Sequence, residues 1–283
     1  MNNYVLYHAD CMDGKGAALA AWMALGESAI YIPVQYKQPL PEMEDGKNVY
    51  IVDFSYSRDI LESIRERSKS IVVLDHHKTA MDDLHDLPYA KFDMDKSGAA
   101  MAWEYFHPNK DVPPLIQMIQ DRDLWKFNIS DTRPASTALS LISDFKNYEL
   151  YLNNYDDLVS TGTIKLGFDK ETINKAEKKA VVGTWNGHRC AVINTTDLFS
   201  EIGERFYTKY NIDFVAMYFV SSSGELVFSF RSSVFDVGQF AKSIGGGGHP
   251  QAAGAKATLT EGAKILEEIY ANAKPLKEFQ LSL

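Results

Sequence analysis

The chain has 283 residues, of which 45% are hydrophobic and 24% are charged. These values are close to the globular average, so they exclude a disordered, collagen-like or coiled-coil protein. The length suffices for one large domain or for two of ordinary size with a connector. The formal net charge of −9 argues against a protein that wraps long duplex nucleic acid, because such a surface repels polyanions.

Cysteine usage and the N-terminal sequence indicate a cellular location. Cys11 and Cys190 are the two cysteines, and they form no CxxC pair, which argues against a disulfide framework and a redox pair. The N-terminus lacks the basic start and apolar run of a signal peptide, and no run of about 18 apolar residues occurs. We therefore predict a soluble cytoplasmic protein without a membrane segment.

Short apolar runs alternate with helix-like stretches over the first domain, which we place at residues 1–130. Strands are predicted at residues 4–7, 29–32, 49–52 and 71–74, since these runs are rich in Val, Ile and Tyr. Helices are predicted at residues 16–22, 58–67, 98–106 and 115–119. This alternation is typical of βαβ units and predicts a mainly parallel sheet with flanking helices.

The pattern changes after residue 130. Residues 131–180 are polar and compatible with helices, especially 148–159 and 169–179, which predicts a helical connector. Strand-like runs return at 190–193, 214–220 and 225–230, with a turn at 221–224. We therefore predict an α/β fold whose second, smaller α/β domain covers residues 181–283.

Charged side chains stand where the predicted strands of the first domain end. His8, Asp10 and Asp13 follow the first strand, Asp53 follows the third, and Asp75, His76 and His77 follow the fourth. The carboxyl ends of strands in an open α/β sheet form the crevice where ligands bind. A lone aspartate there is usually a cap or turn former. Two adjacent imidazoles and a carboxylate, however, are hard to satisfy by packing, so this edge is predicted to hold metal.

The residue types narrow the choice of metal. Carboxylate oxygens mixed with imidazole nitrogens favour a divalent ion such as Mn²⁺ before Mg²⁺, whereas structural zinc would ask for cysteine. Two ions about 3.5 to 4 Å apart stabilise both the attacking and the departing oxygen of a phosphoryl displacement. One carboxylate bridges such a pair, and Asp53 is the predicted bridging residue.

A glycine run in the second domain is predicted to bind substrate. Its residues are Gly246, Gly247, Gly248 and His249, preceded by Arg231. Consecutive glycines let backbone N–H groups approach an anion, and the arginine and histidine add directed donors for phosphate or carboxylate. A flexible linker is the alternative, but it would be padded with serine and glycine rather than contain a histidine followed by small residues.

Over most of its length the chain resembles the DHH phosphoesterase superfamily. Asp75-His76-His77 matches the name-giving motif, residues 8–14 resemble its first motif, Asp53 its second and Asp121 its fourth. Residues 230–254 resemble the associated C-terminal substrate-binding domain of that family. By this resemblance, residues 1–130 are the metal-binding catalytic domain and residues 181–283 the DHH-associated domain.

The resemblance implies a phosphodiesterase that uses Mn²⁺, with two ions and with Mg²⁺ as a possible substitute, in a cleft between the two domains. Implied substrates are short RNA or DNA oligonucleotides or (cyclic) nucleotides and dinucleotides, and a homodimer is a possible assembly. The implied metal ligands are His8, Asp10, Asp13, Asp53, His76 and Asp121. The implied catalytic residues are Asp53, Asp75, His76 and His77, while His77, Arg231 and His249 would hold the phosphate.

The first motif departs from the family pattern, because Cys11 stands where an aspartate is usual and Asp10 is displaced by one residue. Either Asp10 reaches the metal, Cys11 binds as a thiolate and favours softer ions, or the first ion is held weakly. Asp123 is an alternative to Asp121 in the fourth motif. Trp125 next to it is open to two interpretations, core packing and base stacking.

Two other functions are compatible with the same residues. A polyphosphatase or pyrophosphatase would use the same metal cluster on a substrate without bases. A nucleotide-binding sensor would have a metal centre weakened through Cys11.

Overall fold

The computed structural model describes residues 1–9, 11–36 and 38–281 and divides into two compact units, Met1–Leu166 and Gly167–Leu283. The division falls within residues 131–180, the stretch predicted as a connector, and this stretch is largely helical. None of the described helices combines the length and apolar character that a membrane span requires.

The first unit contains a parallel sheet with the strand order β2-β1-β3-β4-β5. Its strands are β1 (Asn3–His8), β2 (Ala29–Val34), β3 (Asn48–Val52), β4 (Ser70–Asp75) and β5 (Ala90–Phe92). The four predicted strands are present, and only the three-residue edge strand β5 lacks a sequence signal. Every pair is parallel, as expected for a sheet whose strands are apolar on both faces.

Helices cover both faces of this sheet. They are α1 (Met12–Leu25), α2 (Arg58–Arg67), α3 (Lys78–Leu84), α4 (Gly98–Phe106), α5 (Pro114–Asp123), α6 (Thr132–Leu139), α7 (Leu150–Asn153) and α8 (Tyr155–Lys179), within which the division lies. The alanine-rich α1 packs closely on α4, since a Cβ at Gly16 would lie 2.9 Å from that of Ala99. One core cluster joins α1, α4, α5 and α6 to one face of the sheet, and a second joins α2 to the other.

The strand order decides where the polar strand ends meet. Strands β1, β3 and β4 are immediate neighbours in the sheet. Because they run in the same direction, His8, Asp53 and Asp75 at or just beyond their carboxyl ends come side by side.

The second unit contains a mixed sheet with the order β10-β11-β9-β8-β7-β6-β12. Its strands are β6 (Val181–Trp185), β7 (His188–Asn194), β8 (Phe214–Val220), β9 (Glu225–Arg231), β10 (Gly247–His249), β11 (Ala252–Thr258) and β12 (Lys274–Pro275). Helices α9 (Phe199–Lys209), α10 (Val237–Ser243) and α11 (Leu259–Tyr270) pack on it. The predicted α/β fold, with a mainly parallel first sheet and a smaller α/β second part, is confirmed.

Candidate metal centre

Asp53 is the central residue of the site. It follows β3 in a left-handed conformation with φ 55°, and its N–H donates to the Leu74 carbonyl at 2.9 Å. The side chain is 1% exposed, yet neither carboxylate oxygen has a hydrogen-bond partner among the described residues. Buried carboxylates are normally hydrogen-bonded, so an unmatched one at a cluster of imidazoles fits a metal ligand.

Two histidines face this carboxylate from opposite neighbours in the sheet. His76 Nε2 lies 3.2 Å from Asp53 Oδ1, and His8 Nδ1 lies 3.5 Å from Asp53 Oδ2. His8 Nδ1 is also buried without a hydrogen-bond partner in the part of the chain that the structure describes. Both imidazoles are therefore placed to share a cation with Asp53.

Asp13 reaches the same centre from α1. Its carboxylate accepts hydrogen bonds from the N–H groups of Gly98 (2.6 Å) and Ala99 (3.0 Å) in the first turn of α4. The positive end of that helix favours a negative charge. These bonds fix the side chain so that Oδ2 lies 3.6 Å from His76 Nε2.

Asp75, predicted as catalytic, contacts the two histidines that follow it. It is fully buried, and its Oδ1 accepts from the N–H groups of His76 (2.7 Å) and His77 (3.2 Å). The same oxygen lies 2.6 Å from His77 Nδ1, and Ser55 donates its hydroxyl to Oδ2 at 2.5 Å. Because both oxygens are occupied in this way, Asp75 orients the two histidines rather than facing a cation.

The hydrogen bond between His77 Nδ1 and the Asp75 carboxylate also affects the pKa of His77. It raises the pKa of His77 and outweighs the opposing effect of burial. A carboxylate on Nδ1 fixes the tautomer and leaves Nε2 as the outward-facing nitrogen. The arrangement leaves His77 Nε2 as the nitrogen that is free of the Asp75 contact.

Three groups of side chains in the described residues are close enough to hold an ion. They are His8, Cys11 and Asp53; Asp53, His76 and His77; and Asp13, His76 and Asp123, with ligand atoms within 4.8 Å of one another in each group. Asp53 belongs to two groups and so occupies the position that a bridging carboxylate requires. His8, Asp13, Asp53 and His76 are brought together as the sequence predicts.

The electrostatics of the cluster are those of a site without enough positive charge. Burial, and then the charge of Asp53, raise the pKa of Asp13 well above its ordinary value. Burial would raise the pKa of Asp53 too, but the imidazoles of His76 and His8 lower it to about 2. Burial alone would lower the pKa of His76, but the Asp53 and Asp13 carboxylates raise it to about 9. Binding of a divalent cation by these residues would require that their ligand atoms be deprotonated.

Asp123, the alternative ligand of the fourth motif, lies in the cluster, whereas Asp121, the predicted ligand, is not among its residues. Asp121 is 6% exposed, and its carboxylate accepts from the N–H groups of Asn128 (2.9 Å) and Ile129 (3.2 Å) and from the Thr132 hydroxyl. Both carboxylate oxygens of Asp121 are therefore bonded to groups that follow α5 in the chain. Asp123 Oδ2 lies 3.6 Å from His76 Nε2.

We predict opposite phenotypes for the two aspartates. Asp123→Asn should weaken Mn²⁺ binding about 10- to 100-fold with little change in the free energy of unfolding of the metal-free protein. Asp121→Asn should instead destabilise the metal-free protein by about 1 to 3 kcal/mol, since it disturbs buried hydrogen bonds. Calorimetric Mn²⁺ titration gives the Mn²⁺ affinity of both variants, and urea unfolding gives their stability. If Asp121→Asn weakens Mn²⁺ binding and Asp123→Asn does not, Asp121 is the metal ligand.

The first motif is only partly described. Asp10, predicted as a metal ligand, lies outside the described residues. Cys11 lies in one of the three groups with His8 and Asp53. Burial, and then the charge of Asp53, raise the pKa of the Cys11 thiol to about 12, so the sulfur is a neutral thiol in the metal-free protein.

In the second unit, the strand register relates two of the predicted substrate-binding residues. His249 on β10 pairs with Ala252 on β11, which pairs with Arg231 on β9. Directly paired residues share a face of a sheet, so the histidine and arginine lie about two strand spacings, roughly 9 to 10 Å, apart across one alanine. Arg231 donates to the Ser229 hydroxyl (3.0 Å) and the Phe230 carbonyl (2.9 Å).

The glycines of residues 245–248 also permit a turn and close packing of the backbone. Gly245, with φ 82°, follows the end of α10. Gly246 and Gly248 allow close strand packing, because a Cβ would lie 2.2 Å from the Gly254 carbonyl oxygen and 2.5 Å from the Ala253 Cα respectively. Gly247, like Gly245, has open space where a Cβ would lie, so these two positions of the run are open to a ligand.

The sequence motifs do not point to Ser55 or Gly98. Ser55 follows Asp53 by two residues, and no local pattern marks its hydroxyl as a partner for Asp75. Gly98 follows the N-cap residue Ser97, a pattern that marks a helix start but does not show which carboxylate the helix faces.

Comparison with known proteins supports the pattern of motifs. Residues 190–274 match the DHHA1 domain model. An uncharacterised protein, R106, of Acanthamoeba polyphaga mimivirus is 30% identical over 293 residues, covering 94% of this chain and 70% of the relative. Oligoribonuclease NrnB of Bacillus subtilis (strain 168) is 22% identical over 312 residues, covering 94% of this chain and 74% of NrnB.

Solved structures share the fold. The pGpG-specific phosphodiesterase PggH of Vibrio cholerae superposes with a TM-score of 0.57 at 13% identity, over 94% of this chain and 97% of PggH. Exonuclease RecJ bound to manganese superposes with a TM-score of 0.52 at 13% identity, over 95% and 89% of the two chains. The cluster of potential metal ligands and these relatives together identify the chain as a metal-dependent phosphoesterase. The chain belongs to the DHH phosphoesterase superfamily.

Proposed function

We propose that this protein is a Mn²⁺-dependent phosphodiesterase that cleaves short oligonucleotides or (cyclic) nucleotides and dinucleotides. The observation that carries the proposal is the buried Asp53 carboxylate, which has no hydrogen-bond partner among the described residues and lies between His8 and His76. When bound, two divalent ions would activate water and stabilise the attacking and departing oxygens of phosphoryl transfer.

The chain's own residues have separate tasks in this proposal. Asp53 would bridge the ions, with His8 on one side and Asp13, His76 and Asp123 on the other. His77, oriented by its contact with Asp75, would donate a hydrogen bond from Nε2 to a non-bridging phosphate oxygen and so stabilise its growing charge. Arg231, Gly247 and His249 of the second unit are proposed to contact substrate.

The nature of the substrate is proposed from the relatives. NrnB is named an oligoribonuclease and PggH a pGpG-specific phosphodiesterase. Two imidazoles among carboxylates favour Mn²⁺ over Mg²⁺, because Mg²⁺ prefers an all-oxygen shell, and RecJ has been solved with manganese. The activities named for NrnB and PggH support a substrate with nucleosides over a plain polyphosphate.

A substrate panel with Mn²⁺ tests the proposal. We expect mononucleotide release from a dinucleotide and much slower phosphate release from polyphosphate or pyrophosphate. The opposite preference would establish the polyphosphatase alternative. Folded protein that binds the dinucleotide but turns over none of these substrates with Mn²⁺, Mg²⁺ or Co²⁺ would favour the sensor.

The unusual cysteine gives a further prediction. Cys11→Asp should raise Mn²⁺ affinity by about tenfold or more, since it replaces a neutral thiol by a hard carboxylate ligand, and even outer-shell changes alter metal affinity by about 10- to 100-fold. Turnover at limiting Mn²⁺ should rise in parallel. Titration of Mn²⁺ against binding and activity gives both quantities.

Cys11→Ser is the matched control, because it has similar size but adds no negative charge. Its Mn²⁺ affinity should not exceed that of the wild type. If the aspartate variant binds Mn²⁺ no better than the serine variant, Cys11 does not limit the first metal position.

A further inference from the structure

Trp125 is an exposed indole beside the metal centre. Its side chain is 68% exposed, whereas Trp103 and Trp185 are 6% and 2% exposed. A large aromatic side chain in water contributes nothing to the core, so core packing does not explain this residue. The alternative interpretation of Trp125, base stacking, therefore gains weight.

The backbone holds this exposed position at a cost. Trp125 and Phe127 both have left-handed conformations, with φ 54° and φ 49°, which are unusual for bulky residues and cost about 1 to 3 kcal/mol each. The loop is tied to Asp121, whose carbonyl accepts from Lys126 at 3.0 Å and whose carboxylate accepts from Asn128 at 2.9 Å. The loop conformation that exposes the indole therefore lowers the stability of the fold.

Neighbouring side chains contact the ring. The Arg122 guanidinium carbon lies over the indole, 4.4 Å from the Trp125 ring centroid, and the Phe127 ring is nearly perpendicular to it at a centroid distance of 5.0 Å. The Arg133 guanidinium carbon lies 4.5 Å from the Phe127 ring. This alternation of arginines and aromatics limits the rotamers of Trp125, which lowers the entropy lost when a flat ligand stacks on it.

The indole and the metal ligands line one cavity. It measures about 290 Å³, and its wall includes Trp125 and Arg122 together with Cys11, Asp13 and Asp123. This volume is near the lower end of small-molecule sites, about 300 Å³. A phosphate bound through divalent ions on Asp13 and Asp123 would therefore lie at the wall of the cavity that the indole also lines.

We propose that Trp125 is the stacking platform for one nucleobase of the substrate, which makes it a specificity residue that favours nucleotides over base-free phosphate esters. Base–aromatic stacking has little sequence preference, because every base has a π-face. The inference deepens the proposed function and rests on it.

A double-mutant cycle between Trp125 and the base tests the proposal. The kcat/KM of wild type and of Trp125→Ala is measured with a dinucleotide and with analogues in which either base is replaced by an abasic sugar. In the wild type, loss of the stacked base should lower kcat/KM about 5- to 150-fold. In Trp125→Ala, removal of the same base should lower kcat/KM by a much smaller factor. In Trp125→Phe, the factor should return most of the way to the wild-type value. Equal factors in wild type and Trp125→Ala would overturn the proposal.

Indole fluorescence supplies a readout that does not require turnover. In the presence of Mg²⁺, AMP should quench the wild type and inorganic phosphate should not, and the quenching should vanish in Trp125→Phe. Trp22→Phe is the matched control. Trp22 is half-buried, donates a hydrogen bond from Nε1 to the Glu149 carboxylate at 3.1 Å and does not line this cavity. Quenching that persists in Trp125→Phe would overturn the proposal.

The kinetic and fluorescence measurements distinguish the stacking role of Trp125 from the proposed phosphodiesterase activity. Hydrolysis of a dinucleotide with no coupling to Trp125 would leave the phosphodiesterase proposal standing and remove the stacking role. AMP quenching that depends on Trp125, without hydrolysis of any diester, would establish the platform and remove the enzymatic proposal.

Discussion

Asp53→Asn should lower kcat/KM for a dinucleotide by about 10³-fold or more. The substitution removes the carboxylate placed to bridge two ions, and the charge stabilisation that such ions supply amounts to several kcal/mol, with each 1.36 kcal/mol equal to a factor of ten. Asparagine tolerates the left-handed conformation of residue 53 (φ 55°). The loss should therefore reflect metal binding and not the backbone.

The measurement that isolates the metal is the stabilisation that Mn²⁺ confers. At a Mn²⁺ concentration of 100 times Kd, the wild type should gain about 2.7 kcal/mol in the free energy of unfolding, and Asp53→Asn should gain almost none. Asp82→Asn is the control, since Asp82 is an exposed carboxylate on α3. An Asp53→Asn enzyme that keeps both the stabilisation and the turnover would remove Asp53 from the centre.

Much of this centre could be predicted from sequence because strong local signals coincide there. The strands that precede His8, Asp53 and Asp75 are short apolar runs, and parallel strands place their carboxyl ends at one edge. No knowledge of loop conformation is needed for that step.

The fourth motif shows where sequence reasoning stops. Asp121 and Asp123 lie two residues apart on α5 and so point about 200° apart around the helix axis. Which of them faces the metal depends on how α5 packs on α1 and α4, and that packing is not encoded within the motif. The left-handed turn at Trp125 is likewise a tertiary feature, since it depends on the hydrogen bonds to Asp121.

The second unit shows a different limit. Strand β11 consists of Ala, Gly and Lys with one terminal Thr, a composition that does not favour strands in isolation. It forms because it pairs along its whole length with β9. Tertiary context therefore overrides propensity in the strand that places Ala252 between Arg231 and His249.

Gly98→Ala should lower kcat/KM about 100-fold although the change adds a single methyl group. A Cβ at position 98 would lie 2.4 Å from the Asp53 Cβ and 2.7 Å from its Oδ1, so the carboxylate must move. A misplacement of about 1 Å in a catalytic site can cost a factor of 10². The same change also disturbs the N–H groups that hold Asp13, which should weaken Mn²⁺ binding in calorimetric titration.

Gly167→Ala is the matched control for this prediction, because Gly167 lies on α8 with open space around its Cα. Alanine there should stabilise the protein by about 0.5 to 1 kcal/mol, as usual for this change within a helix, and leave kcat/KM unchanged. Full activity in Gly98→Ala would mean that Asp53 and α4 can separate without loss, contrary to a rigid bridging carboxylate. Reduced activity with an intact unfolding transition would show that the catalytic geometry depends on the close approach of the first turn of α4 to Asp53 and Asp13.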